Sequence, residues 1–227
     1  MITSVRVTLL SLLGAISAYG QTAFLPTADA LLDQQGEFFD PPTFLGASIS
    51  FSIGSFGPSQ RRRSLIRFDL SSLSGQFVTS ASLTLFRAGS GGTFTNQNVS
   101  LFAVSAPNSG WIESTAAWAW ENYRATHWAG GNGLGAAGTD YLNTVLGTAV
   151  VSSSDAFDAS VTFTLNAAGV AALQSWIDTP SSNAGFLLRA DGMEAASLGI
   201  AQFRSREYLD TAKDPVLTVS TVPKSAT

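Results

Sequence analysis

The 227-residue sequence has no cysteine, one histidine (His127), two lysines and only 12% charged residues. Without thiols there is no disulfide framework, no cysteine-ligated zinc or iron–sulfur centre and no thiol nucleophile. A single histidine excludes a metal site built from several imidazoles. The 12 basic side chains are outnumbered by 16 acidic ones, a net charge of -4. That balance opposes a nucleic-acid partner, because binding phosphates requires a basic excess. Beyond the N-terminus no apolar run approaches the ~20 residues of a transmembrane helix.

What is present begins with an N-terminal segment ordered like a secretory signal. Arg6 supplies the positive region, Val7 to Ile16 an apolar stretch, and Ala18 and Gly20 the small residues around a cleavage point. The expectation is a leader over residues 1–20, a single domain over 21–221, a short tail over 222–227 and an extracellular location. A chain of this length can bury a full core without covalent staples.

The remainder reads as short strands. Ala47 to Ile53 alternates, directing Ile49, Phe51 and Ile53 to a core. Arg63 to Leu70 places Ile66, Phe68 and Leu70 inward and Arg63, Leu65, Arg67 and Asp69 on the opposite face. Strands are also expected at Ser80 to Arg87, Val99 to Val104, Ser160 to Leu165, Gly185 to Ala190, Leu198 to Tyr208 and Pro215 to Thr221, with a loop over Gly89 to Asn98. One helix is expected over Asn166 to Ile177, where Val170, Leu173 and Trp176 recur at a spacing of three behind Asn166 as N-cap. The stretch from Trp111 to Leu146 reads as long loops, and Gly130-Gly131-Asn132-Gly133 as a flexible connection.

Several segments, in order, resemble one known family. They are Arg63-Ser64-Leu65-Ile66-Arg67-Phe68-Asp69-Leu70 with Val78 to Leu85, Trp111-Ile112-Glu113 followed by Trp118, Val170 to Trp176 with Asn183 to Leu188, and Phe203-Arg204-Ser205-Arg206-Glu207 with Pro215 to Val219. The set resembles the DNRLRE-type domain, also classed as carbohydrate-binding module family 96. The resemblance implies an all-β fold, a jelly-roll-type antiparallel β-sandwich with one short helix. It also implies binding of a polysaccharide, an acidic one such as alginate in relatives, and no catalysis. Two departures fall in loops, where ligand specificity usually resides: Ala119-Trp120-Glu121-Asn122 after the second Trp together with an inserted Gly/Ala loop from Ala129 to Gly138, and, at the start, Gln34-Gln35-Gly36 and Pro41-Pro42 in place of the family's asparagine-glycine loop.

Read on their own chemistry, the candidate carbohydrate-binding residues are Arg63, Arg67, Arg189, Arg204 and Arg206, with Trp120 and Trp128. Guanidinium groups match uronate carboxylates bidentately. Indole faces suit the apolar side of a pyranose, and Trp120 and Trp128 are expected to be exposed, whereas Trp111, Trp118 and Trp176 are expected in the core. The opposite reading pairs Arg67, Arg204 or Arg206 with Asp69 or Glu207 as ordinary surface contacts. No catalytic residues are assigned. His127 beside Tyr123 and Arg124 has only a superficial likeness to a lyase site, and Glu113 with Glu121 in a loop gives no defined carboxylate separation. No cofactor is called for. Asp29, Asp33, Asp210 and Asp214 could supply a structural calcium, but there is no Asp-x-Asp-x-Asp-Gly loop. The partner is therefore a polysaccharide, the alternative being a cell-surface or matrix component for which the domain is a spacer without a sugar ligand.

Overall fold

The computed structural model describes residues 20–38, 46 and 48–224; the expected leader lies outside them, apart from Gly20. The strands are β1 (Gly20–Phe24), β2 (Pro26–Asp33), β3 (Ser50–Ser55), β4 (Arg61–Phe68), β5 (Gln76–Gly92), β6 (Gln97–Ala103), β7 (Trp120–Asn122), β8 (Thr126–His127), β9 (Gly147–Val151), β10 (Ser160–Leu165), β11 (Phe186–Arg189), β12 (Gly199–Arg204) and β13 (Val216–Pro223). Two helices, α1 (Ala167–Asp178) and α2 (Asp191–Ala196), accompany them.

The all-β expectation holds, and the ladder closes on itself. Antiparallel pairing runs β5, β10, β9, β6, β11, β4, β3 and β12 and returns to β5, an eight-strand ring without a free edge. Strand β13 extends this ladder along the first half of β5, β1 adds to β13, and β2 pairs with β4. Closure depends on the 17-residue β5, whose early residues pair with β13 and β10 and whose last ones pair with β12. This strand runs through Gly89 to Gly92, where the sequence suggests a loop.

Alternation fills the ring. In β10, Val161, Phe163 and Leu165 are buried while Ser160, Thr162 and Thr164 are exposed. They join Phe51, Ile53, Ile66, Phe68, Leu83, Leu85, Phe186 and Phe203 in the main core. Helix α1 closes one end with Leu173, Trp176 and Ile177, and the Trp176 ring meets Phe186 edge-on at 4.9 Å. Asn166 caps it, its side chain accepting the Gly169 N–H at 3.0 Å. Asn166→Ala should lower stability by about 1 kcal/mol, read as a lower urea midpoint at unchanged slope.

A second core lies on the outside of β2, β4, β11 and β6. Leu65, Phe102 and Leu187 point away from the ring, yet they are buried beneath Trp111, Trp118, Trp128, Leu134 and Tyr141 from the long middle segment. The face of β4 assigned to solvent is thus a covered one. Its cover is not a flexible connection, because the buried Asp140 carboxylate accepts the Gly130 and Ala136 N–H groups at 2.6 and 2.9 Å and the Asn108 amide at 3.2 Å. Asn108 in turn accepts the Ala129 N–H at 2.8 Å. Gly133 has φ +69° and lies so close to the Trp118 indole that a Cβ would fall 2.4 Å from it, so only glycine fits there.

Other readings change locally. Ile49 is 52% exposed rather than inward. Strands β1, β2 and β9, the short pair β7 and β8 within the stretch read as loops, and the helix α2 were not anticipated, and β13 extends two residues into the stretch read as a tail, with Val222 and Pro223 opposite Phe77 and Gln76.

Candidate functional site

The five candidate arginines occupy four separate places, and only two of them come together. Arg63, near the start of β4, and Arg189, at the end of β11, line a cleft of about 310 Å³ with Arg61, Asp191, Glu194 and Ala195. Arg63 is buried and clasps Glu194 of α2 with both prongs, Nε to Oε1 at 3.0 Å and Nη2 to Oε2 at 2.7 Å. Its Nη1 donates to the Gly133 carbonyl at 2.6 Å, and its guanidinium lies 5.3 Å from the centre of the Trp118 ring. Arg189 is paired with Asp191 at 2.7 Å and donates to the Tyr141 hydroxyl. Arg61, half-buried, has no hydrogen-bond or ion-pair partner for its guanidinium among the described residues. Three guanidiniums therefore face two carboxylates, leaving one positive charge in excess. The sequence reading did not single out Arg61, since in a run of three arginines only the fold shows which one keeps its charge free.

Arg67 spends its donors on the carbonyls of Ser109 and Trp111, at 3.2 Å each, and lies over the Trp111 ring at 4.5 Å. Partial burial lowers its pKa, with Glu113 opposing. Arg204 is held between Tyr208 and Phe157, 3.8 and 5.0 Å from their ring centres, and bonds Asp158 at 3.0 Å. Phe157 itself is 65% exposed, which makes it the better aromatic candidate on the surface. Trp128 is corrected outright: it is 3% exposed, with its Nε1 donating to the Ala117 carbonyl at 2.8 Å. Trp120 is half-buried and stacks on His127 at 3.7 Å, with Tyr123 edge-on at 5.7 Å. His127 thus serves as a stacking partner, its Nδ1 within 2.9 Å of the Ala119 carbonyl.

Arg206 belongs to a different arrangement. Its Nε bonds Glu207 at 2.7 Å, its Nη1 donates to the Thr27 carbonyl and lies 3.5 Å from Glu113 Oε2, and its backbone N–H donates to Asp29 Oδ2 at 2.9 Å. Asp29, Glu113 and Glu207 have carboxylate oxygens that all lie within 4.8 Å of one another. Burial pushes Asp29 up to about 8, with the charges of Glu207 and Glu113 acting in the same direction. Burial, then the hydrogen bond and charge of Glu207, push Glu113 up to about 7. Asp214 is raised for the same reasons, burial first and Glu207 next. Of the four aspartates considered for calcium, Asp29 and Asp214 are found here, whereas Asp33 pairs with Arg62 at 3.0 Å and Asp210 bonds the Ala212 N–H at 3.1 Å. Glu113 and Glu207 were missed as cluster members because the three carboxylates come from separate segments and no local spacing brings them together.

Elsewhere Glu121 is buried and raised by desolvation, and its Oε1 has no hydrogen-bond partner among the described residues. The Glu113 carboxyl is engaged by Glu207, not by Glu121.

The model of carbohydrate-binding module family 96 matches residues 21–169, about two thirds of the sequence, and the chain belongs to that family. The matched span includes Arg61, Arg63, Arg67, Glu113 and Trp111 but ends before Arg189, Arg204, Arg206 and Glu207. No curated protein matches the chain. No described helix is long and apolar enough to cross a membrane.

Proposed function

We propose that the protein is a secreted, non-catalytic carbohydrate-binding module, a flattened jelly roll closed at its edges, whose ligand is an acidic polysaccharide of the uronate type. Family membership supports carbohydrate binding. The observation that carries the uronate preference is the cleft in which the Arg61 guanidinium, without a partner among the described residues, lies beside Arg63 and Arg189. A uronate carboxylate placed there meets a planar donor fork beside a polar wall, and a charge-assisted pair of that kind is stronger than a neutral hydrogen bond.

The test is retention of the mature chain on alginate, pectate, cellulose and xylan at low and moderate salt. Retention on the two uronates should fall with salt, because exposed charges are screened. Arg61→Ala should weaken it by about tenfold, the value of one hydrogen bond to a charged group, without changing the denaturation midpoint. Equal binding of Arg61→Ala and the wild type would place the ligand elsewhere, Phe157 then being the first residue to change.

A second reading has its own observation. Arg63, Arg67, Arg189, Arg204 and Arg206 each already hold a carboxylate or carbonyl partner, as expected of a spacer in a surface layer or matrix that binds no sugar. Folded protein retained on none of the four polymers would favour it.

A further inference from the structure

We propose that Asp29, Glu113 and Glu207, backed by Asp214, form a site for a hard divalent cation, calcium in preference to magnesium. The proposal is independent of the sugar-binding reading.

Three carboxylates converge from three distant segments: Asp29 from β2, Glu113 from the loop before β7, and Glu207 from the turn after β12. Asp29 is only 1% exposed, so its carboxylate does not lie on a solvated surface where acidic groups gather without consequence. Among the described residues Arg206 is the guanidinium in contact with Glu113 and Glu207, and Arg67 acts on Glu113 from further away, so the carboxylates still outnumber the cations around them. Two buried oxygens add an independent indication. Glu207 Oε2 receives no N–H or hydroxyl donor among the described residues, its carboxyl otherwise facing that of Glu113, and Oδ1 of Asp214, a residue only 5% exposed, has no hydrogen-bond partner among them either. Glu207 is the charge that acts most on Asp214, so the Asp214 carboxyl is a neighbour of the cluster although its oxygens are not among the three that converge. A buried acceptor without a donor is costly, and a bound cation satisfies several at once.

The chemistry selects the ion. Every donor is oxygen, with no histidine or cysteine, which disfavours zinc and copper. Calcium accepts six to eight oxygens at about 2.3–2.6 Å in flexible geometry, so oxygens on opposite sides of one ion are separated by about the span seen here. Magnesium demands a tighter octahedron and gives up water reluctantly. A cleft of about 360 Å³, lined by Gly46, Ile112, Glu113, Ser114, Arg206 and Glu207, opens onto the cluster and provides both entry and room for coordinated water. The ion would tie β2, the middle loop and the segment after β12 together, three parts of the chain that share no other covalent or metal link.

The experiment is calorimetric titration of the full chain, stripped with EDTA, with calcium chloride and separately with magnesium chloride, alongside thermal denaturation in each salt. The wild type should bind calcium saturably and more tightly than magnesium, with a midpoint that rises with calcium concentration. Glu207→Gln should weaken calcium by about 10- to 100-fold, as loss of a coordinating or supporting carboxylate does, and should lose the calcium-dependent rise. Absence of heat and of any midpoint shift in the wild type would overturn the proposal, as would unchanged affinity in Glu207→Gln, and equal affinity for both ions would overturn the choice of calcium. Should Glu207→Gln fail to fold, terbium luminescence of the wild type with calcium as competitor gives the same decision: displaceable emission supports the site, and its absence refutes it.

Discussion

Glu194→Ala is expected to destabilise the protein by about 3–5 kcal/mol, the usual result of removing one partner from a buried ion pair. The Arg63 and Glu194 side chains are 6% and 7% exposed and meet through two hydrogen bonds. Without the carboxylate, Arg63 keeps only the Gly133 carbonyl and the face of Trp118, and its charge is left desolvated. The net contribution of the pair is smaller than that penalty, since both ions gave up hydration to form it. Arg63→Met with Glu194→Leu should therefore cost less than Glu194→Ala alone, and the difference between the double variant and the summed singles measures the coupling. Urea denaturation of the wild type, Glu194→Ala, the two singles Arg63→Met and Glu194→Leu, and the double variant reads this directly; a double variant as unstable as the sum of the singles would show that the two residues act separately. Arg61→Ala is the contrast: it removes a guanidinium from the same cleft without breaking the buried pair, so it should weaken uronate retention and leave stability unchanged.

Sequence periodicity located the elements whose two faces differ in polarity. Strand β10 and helix α1 were legible to within a residue or two, because solvent faces one side of each and the alternation or the spacing of three is clean. It misassigned β4, where Leu65 adjoins Ile66 and both are fully buried. The same doublets occur at Leu101-Phe102 and Leu187-Leu188, and adjacent apolar residues in a strand mean that both faces are covered. Read together, those doublets contained the second core. What covers it was not legible, since Trp111, Trp118, Trp128 and Leu134 reach it through turns held by Asp140, which no periodic pattern encodes. For the site, sequence indicated arginine as the chemistry but could not separate Arg61 from Arg63. The Arg61 guanidinium has no partner among the described residues and that of Arg63 is locked beneath a helix, a difference set by α2, which itself was not foreseen. The acidic cluster was half visible in Asp29 and Asp214, and its other members were set aside as structural or as surface partners of arginine.

Trp111→Ala should carry a penalty of similar size, about 3–5 kcal/mol, typical of truncating a large buried aromatic. The indole is 1% exposed, its Nε1 donates to the Ala184 carbonyl at 2.8 Å, and Arg67 both covers its face and bonds its backbone carbonyl. Truncation opens a cavity above Leu65 and Leu187 and leaves the Ala184 carbonyl without its donor. Trp111→Phe restores much of the volume but not the N–H, so its cost should fall between alanine and wild type, and the gap between the phenylalanine variant and wild type includes the lost hydrogen bond, about 1 kcal/mol or more where the orphaned acceptor stays dry. Trp120→Ala is the internal contrast: that ring is only half-buried and stacks on an exposed His127, so the loss should be smaller, about 1 kcal/mol. Trp111 also precedes Ile112 and Glu113 directly, so releasing the indole frees the backbone that presents Glu113 to the acidic cluster. Calcium affinity should then fall in Trp111→Ala and hold in Trp120→Ala. Denaturation midpoints with and without calcium for the three variants decide it: a calcium-induced rise preserved in Trp111→Ala would mean that Glu113 is positioned independently of the second core.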